Sequence, residues 1–304
     1  MRILASASDL AIRQFDYFAP DTLQDALRLL SEYKKSKVLA GGQSIIPLMK
    51  LNLVEVDHII DLKGILGLSS IKTTRDHRGR KEISLGPLVT HSKIQNSEII
   101  GEYCPLLSET ARGIGHPLVR NRGTIGGSIC HADPAADYCA ALLALGARLK
   151  AQSSNAERTF GAEEFFLGPF STALAREEIL TEIIVPEISS GRIGYSIKKM
   201  SMGHGSFPLV VVSTLIKVSG SSCDNARIAL AGVADKPFRV PIAENELIGK
   251  DVSLEAKESV LDAAKIVSMS CSPQPDLDAS ADYKRRMVEV LTRRALFESI
   301  ERCG

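Results

Sequence analysis

Apolar and polar positions recur along this chain with two periods, near 3.6 and near 2, and the changes between them outline its elements. In Asp21-Thr22-Leu23-Gln24-Asp25-Ala26-Leu27-Arg28-Leu29-Leu30 a capping pair precedes Leu23, Ala26, Leu27 and Leu30 on one helical face, so a helix is expected there. The apolar run 37–40 reads as a strand that a glycine pair ends. Strands are also expected at His58-Ile59-Ile60-Asp61-Leu62 and Glu82-Ile83-Ser84-Leu85-Gly86, with the charged stretch 73–80 as a solvated hairpin loop. A helix at 105–112 leads to a second glycine pair. The helix after it is framed by Asp133 as N-cap, Pro134 at the first helical position and Gly146 just past the end. Strands at 148–152 and 178–185 follow, the second stopped by Pro186.

Beyond Pro186-Glu187-Ile188-Ser189-Ser190-Gly191 the pattern changes. Strands are expected at 195–200, 207–218 and 227–233, then long helices at 253–268 and 281–302 with a polar break, Ser270-Cys271-Ser272-Pro273-Gln274-Pro275, between them. Strands first and helices after predict an antiparallel sheet with helices on one face. The class is therefore α+β, in two domains, 1–188 and 189–304, a division that suits the 304 residues. No internal repeat is evident.

Chemistry concentrates in two short runs, Ala40-Gly41-Gly42-Gln43-Ser44 and Thr124-Ile125-Gly126-Gly127-Ser128. Paired glycines let main-chain N–H groups approach an anion with no side chain in the way, and the hydroxyls of Ser44, Thr124 and Ser128 add donors. One such run is ordinary turn chemistry; two read as halves of one phosphate cradle. Neither fits the P-loop spacing or the dinucleotide fingerprint that opens a helix after a strand. The expectation is a nucleotide diphosphate cofactor held in another way.

Longer stretches around both runs carry a family resemblance. Lys37-Val38-Leu39-Ala40-Gly41-Gly42-Gln43-Ser44-Ile45-Ile46-Pro47-Leu48-Met49-Lys50-Leu51 is similar to the first FAD signature of the molybdenum-containing hydroxylases. Val119-Arg120-Asn121-Arg122-Gly123-Thr124-Ile125-Gly126-Gly127-Ser128, continuing through Ile129-Cys130-His131-Ala132-Asp133-Pro134-Ala135-Ala136-Asp137, resembles the second. The likeness is to the medium, FAD-binding subunit of carbon monoxide dehydrogenase-like enzymes and to the flavin domain of xanthine dehydrogenase, from about residue 13 onward.

The resemblance implies an FAD-binding domain of the vanillyl-alcohol-oxidase/PCMH type followed by a smaller α+β domain. It implies that main-chain amides of Gly41, Gly42, Gln43 and Ser44, flanked by Ala40 and Ile45, face Thr124, Ile125, Gly126, Gly127 and Ser128 across the FAD pyrophosphate. By the same resemblance Asp137 lies near the ribityl and isoalloxazine groups, with His131 in the same loop. Lys198 lies at the pyrimidine end of the flavin, and Ile179 and Leu180 pack on the ring. Two departures stand out. Ile114 occupies a position where xanthine dehydrogenase-like chains carry an aromatic residue, and Met200-Ser201-Met202-Gly203-His204-Gly205-Ser206-Phe207-Pro208 replaces a more charged stretch.

The implied function is an electron relay in an oxidoreductase complex. A molybdenum-cofactor large subunit oxidises substrate, a small subunit with 2Fe–2S clusters conducts electrons, and FAD in this chain hands them to an external acceptor, in a dimer of heterotrimers. Two rivals remain open: a stand-alone reductase of the UDP-N-acetylenolpyruvylglucosamine reductase type driven by NADPH, and a flavin-free scaffold.

Composition narrows the partners. With 37 basic and 36 acidic residues the net charge is +1, which gives no electrostatic case for nucleic acid or an anionic membrane. No apolar run approaches the roughly 20 residues of a membrane span. Met1-Arg2-Ile3-Leu4-Ala5-Ser6-Ala7-Ser8 lacks a secretory core, so a cytoplasmic protein is expected. Six scattered cysteines, Cys104, Cys130, Cys139, Cys223, Cys271 and Cys303, include no C-x-x-C, which argues against a cluster or metal site in this chain. The inserted cysteine segment that brings a 4Fe–4S cluster to 4-hydroxybenzoyl-CoA reductases is also missing from the sequence.

Overall fold

The computed structural model describes residues 12–203, 205–253 and 257–304. The N-terminal octapeptide, His204 and the 254–256 part of the expected helix lie outside them. Three short strands, β1 (Asp16–Phe18), β2 (Ser36–Leu39) and β3 (His58–Asp61), form a parallel sheet in the order β1-β3-β2. Helix α1 (Leu23–Glu32) connects the first two and α2 (Ile45–Lys50) follows β2. The Thr22 hydroxyl caps α1, accepting from the Asp25 amide at 3.1 Å. Ala26, Leu27 and Leu30 then pack with Ile60 of β3 and with Leu62 just beyond it, and each buried leucine stabilises the contact by about 1.5–3 kcal/mol.

Next come β4 (Ile71–Arg75) and β5 (Lys81–Leu85). The hairpin loop is shorter than expected, 76–80, because β4 extends through Arg75: Ile71 to Arg75 pair in register with Leu85 to Lys81. Lysine, arginine and threonine suit its place at the sheet's edge, where the outer side faces water. Six helices intervene, α3 (His91–Gln95), α4 (Glu98–Tyr103), α5 (Pro105–Gly113), α6 (Pro117–Arg122), α7 (Ile125–His131) and α8 (Asp137–Leu145). After β6 (Arg148–Gln152), β7 (Glu157–Gly161), α9 (Ala162–Phe165) and the small hairpin of β8 (Phe166–Gly168) and β9 (Ser171–Thr172), β10 (Ile179–Pro186) inserts centrally, giving an antiparallel sheet β4-β5-β10-β6-β7.

Helix α8 starts three residues later than its apparent cap signals. The Asp133 carboxylate accepts from the Ala135 amide at 2.9 Å and its carbonyl from Ala136 at 3.0 Å. Asp133-Pro134 is therefore a turn, a geometry in which aspartate and proline are as favourable as at a helix start. Ala136 is the residue before the first turn, while Gly146 ends the helix in the left-handed region as expected, at φ 64 and ψ 43.

The C-terminal part is a sheet β11 (Ile193–Ser201), β12 (Pro208–Ser219), β13 (Ser222–Ala231) and β14 (Phe238–Arg239), antiparallel in that order, followed by α10 (Pro241–Leu247), α11 (Lys257–Met269) and α12 (Ala281–Glu301). As expected, the three helices that follow the sheet share one of its faces, with Ala243, Val260 and Leu291 in a single core. Val210, Val212 and Ile216 face that core with α12 residues Leu291, Ala295 and Leu296, and on the other face Val211, Ala229 and Ala231 join the core of α8 from the N-terminal part. Alternation along one strand serves two cores, and every residue of α8 is buried between the sheets.

Candidate cofactor site

Strand β2 stops at Leu39, and the chain turns through Ala40 to Ser44 at the carboxyl end of a parallel strand, the customary edge for ligand loops. Gly42 takes φ +75, open to glycine and costly for a side chain. Among the described residues, none accepts a hydrogen bond from the amides of Gly41, Gly42, Gln43, Ser44 or Ile45. Ser44 precedes α2 without bonding it through its hydroxyl. The Ile45 side chain turns away, toward Met49, Val56 and Ile59.

The second glycine run behaves differently and corrects the expected two-sided amide cradle. Its amides are already used: Ile125 donates to the Val89 carbonyl at 3.0 Å, Gly126 to Pro87 at 2.9 Å and Ser128 to Thr124 at 3.0 Å. Gly127 donates to the Thr124 hydroxyl at 3.1 Å, so that hydroxyl caps α7. These glycines supply closeness instead of donors. A Cβ on Gly126 would stand 2.4 Å from Pro87 Cβ, and one on Gly127 would stand 2.9 Å from Thr124 Oγ1 and 3.5 Å from Ala40 Cβ. Gly41 is equally confined, since its Cβ would meet the Arg122 carbonyl at 2.2 Å. The two runs are pressed together, with the free donors on the first.

Beside the first run opens a cleft of about 300 Å³ lined by Ala40, Gly42, Gln43, Asp61, Lys63 and Arg122. Lys63 and Arg122 escaped the sequence reading, although Arg122 lies inside the second signature and Lys63 just past β3. Asp61, also on this wall, is engaged by the Tyr17 hydroxyl at 2.7 Å and the Lys63 amide at 2.9 Å. Unpaired amides and two cations together suit a diphosphate.

Asp137, the first residue of α8, is buried and pairs with Lys199 Nζ at 2.8 Å, which also donates to the Gly113 carbonyl at 2.6 Å. Burial raises the carboxyl's pKa, and Lys199 opposes that rise. Lys198 is elsewhere: it pairs with Glu298 of α12. Adjacent strand residues point to opposite faces, so Lys199 and not Lys198 is the lysine beside Asp137. Leu180 and Ile179 are each 3% exposed on the central strand β10. His131 ends α7 with its ring 5.1 Å from that of Phe170, and burial lowers its pKa. Ile114 is half-buried against the main core.

Residues 13–188 match the family model of the FAD binding domain in molybdopterin dehydrogenase, and residues 195–299 that of the CO dehydrogenase flavoprotein C-terminal domain. The chain belongs to this flavoprotein family. It is 35% identical over 283 residues to the nicotine 6-hydroxylase medium subunit of Paenarthrobacter nicotinovorans, covering 93% of this chain and 96% of that one. The glyceraldehyde dehydrogenase medium chain of Sulfolobus acidocaldarius is 36% identical, covering 94% of this chain and 98% of the relative. Among solved structures, carbon monoxide dehydrogenase from Hydrogenophaga pseudoflava superposes with a TM-score of 0.91 at 34% identity, covering 97% of this chain and 100% of that one. The protein is thus an FAD-binding medium subunit of the molybdenum hydroxylase family, an oxidoreductase flavoprotein. The flavoprotein's residues fit that cofactor: five unpaired amides, the uncommitted Ser44 hydroxyl, Lys63 and Arg122 meet a diphosphate in a cleft that glycines at 41 and 42 keep clear. None of the described helices is long and apolar enough to cross a membrane.

Proposed function

We propose that this chain is the electron-relay subunit of a cytoplasmic three-subunit molybdenum hydroxylase, assembled as a dimer of heterotrimers. It would carry electrons from the 2Fe–2S clusters of a small subunit to an external acceptor, while a large molybdenum subunit oxidises the substrate. The observation that carries this is the pairing of a one-sided amide loop at Gly41–Ser44 with a medium-subunit likeness spanning both parts of the chain. Bound FAD supplies the exchange between one-electron and two-electron chemistry that such a relay needs.

This chain's own residues hold and orient. The amides of Gly41 to Ile45 bind the diphosphate, Lys63 and Arg122 neutralise it, and the Gly126-Gly127 pair at the start of α7 lets the second run close on the first. Lys199, held by Asp137, places a cation behind the loops, and the 1–188 part carries the cleft while the 189–304 part supplies that lysine. Relatives act on nicotine, glyceraldehyde or carbon monoxide, as their names state, so the substrate belongs to the large subunit.

Purified chain is expected to bind FAD and to show no substrate-dependent flavin bleaching alone; bleaching appears on mixing with both partners and substrate. Oxidised flavin in an assembled complex that is turning over substrate would overturn the relay. NADPH-driven reduction of a UDP-sugar enolpyruvyl substrate by the lone chain would favour the stand-alone reductase.

A further inference from the structure

Behind the glycine loops a second layer is built from the segment Pro87 to His91. Its carbonyls at Pro87 and Val89 accept from Gly126 and Ile125, Thr90 bridges Thr124, and the His91 amide donates to the Gly123 carbonyl at 3.0 Å. The His91 side chain is 4% exposed. A Cβ on Gly123 would fall 2.7 Å from its Nε2 and 2.9 Å from its Cδ2. Gly123 has φ −60 and ψ 141, a conformation open to every residue, so room and not rotation requires glycine there.

Gly123 in turn supports the first loop, because its Cα lies 2.8 Å from the Cβ position of Gly41. Beneath His91 is the Tyr138 ring, centroid to centroid 5.4 Å, next to Asp137 in the first turn of α8. Gly41, Gly123, His91 and Tyr138 therefore form a continuous stack from the free amides down to α8. Stability alone would favour apolar side chains in the lower layers: His91 Nδ1 and the Tyr138 hydroxyl are buried without a hydrogen-bond partner among the described residues. Burial and nearby Arg120 push the His91 pKa down to about 4, so the ring acts as a neutral spacer.

We propose that His91 is a positioning residue for the cofactor, its imidazole setting through Gly123 the height of the Gly41–Ser44 loop; this rests on the FAD-binding role above. The test is a double-mutant cycle on the full chain, read by FAD affinity and by the visible circular dichroism of FAD bound at saturation. Gly123→Ala drives a methyl into the ring, and His91→Ala removes the ring; each is expected to weaken FAD about tenfold and to change the flavin dichroism. In His91→Ala/Gly123→Ala the methyl occupies vacated space, and affinity and dichroism are expected to return toward wild type. Wild-type FAD behaviour in both single variants, or a double variant no better than the weaker single, would overturn the stack while leaving FAD binding intact. A wild-type chain without FAD affinity would overturn both. Should Gly123→Ala not fold, His91→Ala introduces no clash and decides alone: unchanged affinity and dichroism refute the spacer, and loss of both supports it.

Discussion

Replacing Lys199 with methionine separates the lysine that the strand register selects from its neighbour. Lys199 is the ion-pair partner of Asp137, whose side chain is 9% exposed, and no second cation pairs with that carboxylate among the described residues. Removing one member of a buried pair costs about 3–5 kcal/mol, because the remaining charge is left desolvated. For 304 residues the unfolding entropy is about 0.6 kcal/mol per kelvin, so the expected loss of Tm is about 5–8 °C. The sign of its pH dependence follows from Asp137. Its carboxyl is raised by burial, with Lys199 the main opposing influence. Without Lys199 the folded-state pKa rises further, so the variant's stability is best retained below the ordinary aspartate range and is lost as pH climbs through the raised folded value. The deficit against wild type should therefore be larger at pH 8 than at pH 5. Lys198→Met is the control. Its partner Glu298 keeps Arg302 at 3.0 Å and Ser196, and a half-exposed pair contributes about 0–1 kcal/mol, equivalent to a shift of under about 2 °C. Differential scanning fluorimetry at the two pH values reads both variants. Equal losses for the two lysines, or a Lys199→Met deficit that grows on acidification, would refute the assignment.

Gly42→Val is expected to abolish FAD retention on gel filtration while leaving a folded chain, because a β-branched residue at φ +75 distorts the loop that carries the free amides of the site; full FAD occupancy would contradict the site. Arg122→Glu should weaken FAD binding by more than Arg122→Ala, with the gap shrinking at 1 M salt; identical affinities in a fluorescence-quenching titration would remove Arg122 from the diphosphate. Acid precipitation of the purified chain should release FAD into the supernatant at one per chain, and recovery of FMN or of flavin in the pellet would count against the cradle.

Long periodic segments were legible in the sequence. The capped face of α1, the strands on either side of the first glycine pair and the long C-terminal helix follow directly from apolar spacing. What escaped was set by context. Thr73 to Arg75 at the end of β4 read as charged loop because an edge strand with one wet side carries no apolar alternation beyond Ile71. The start of α8 was misplaced since every residue from Asp137 to Leu145 is apolar or buried, which leaves only caps to mark the end, and Asp133-Pro134 makes a turn with the same letters. Lys198 and Lys199 show the limit of motif reading at a strand: a shift of one position exchanges Glu298 for Asp137.

The two glycine pairs look alike as letters and differ as physics, and no inspection of either run in isolation separates them. In the first, Gly42 is required by a backbone angle and the following amides are unspent. In the second, Gly126 and Gly127 sit at the start of a helix, where their amides are consumed by Pro87 and Thr124 and their missing side chains admit Pro87 and Ala40. A donor loop needs exposed N–H groups, and a loop that must hold it at fixed height needs the opposite, satisfied N–H groups and a rigid back. Duplicating the donor design on both sides would leave two loosely held loops. One spent and one unspent glycine pair, with Gly41 resting on Gly123 and Gly123 on His91, gives a single set of donors on a fixed support.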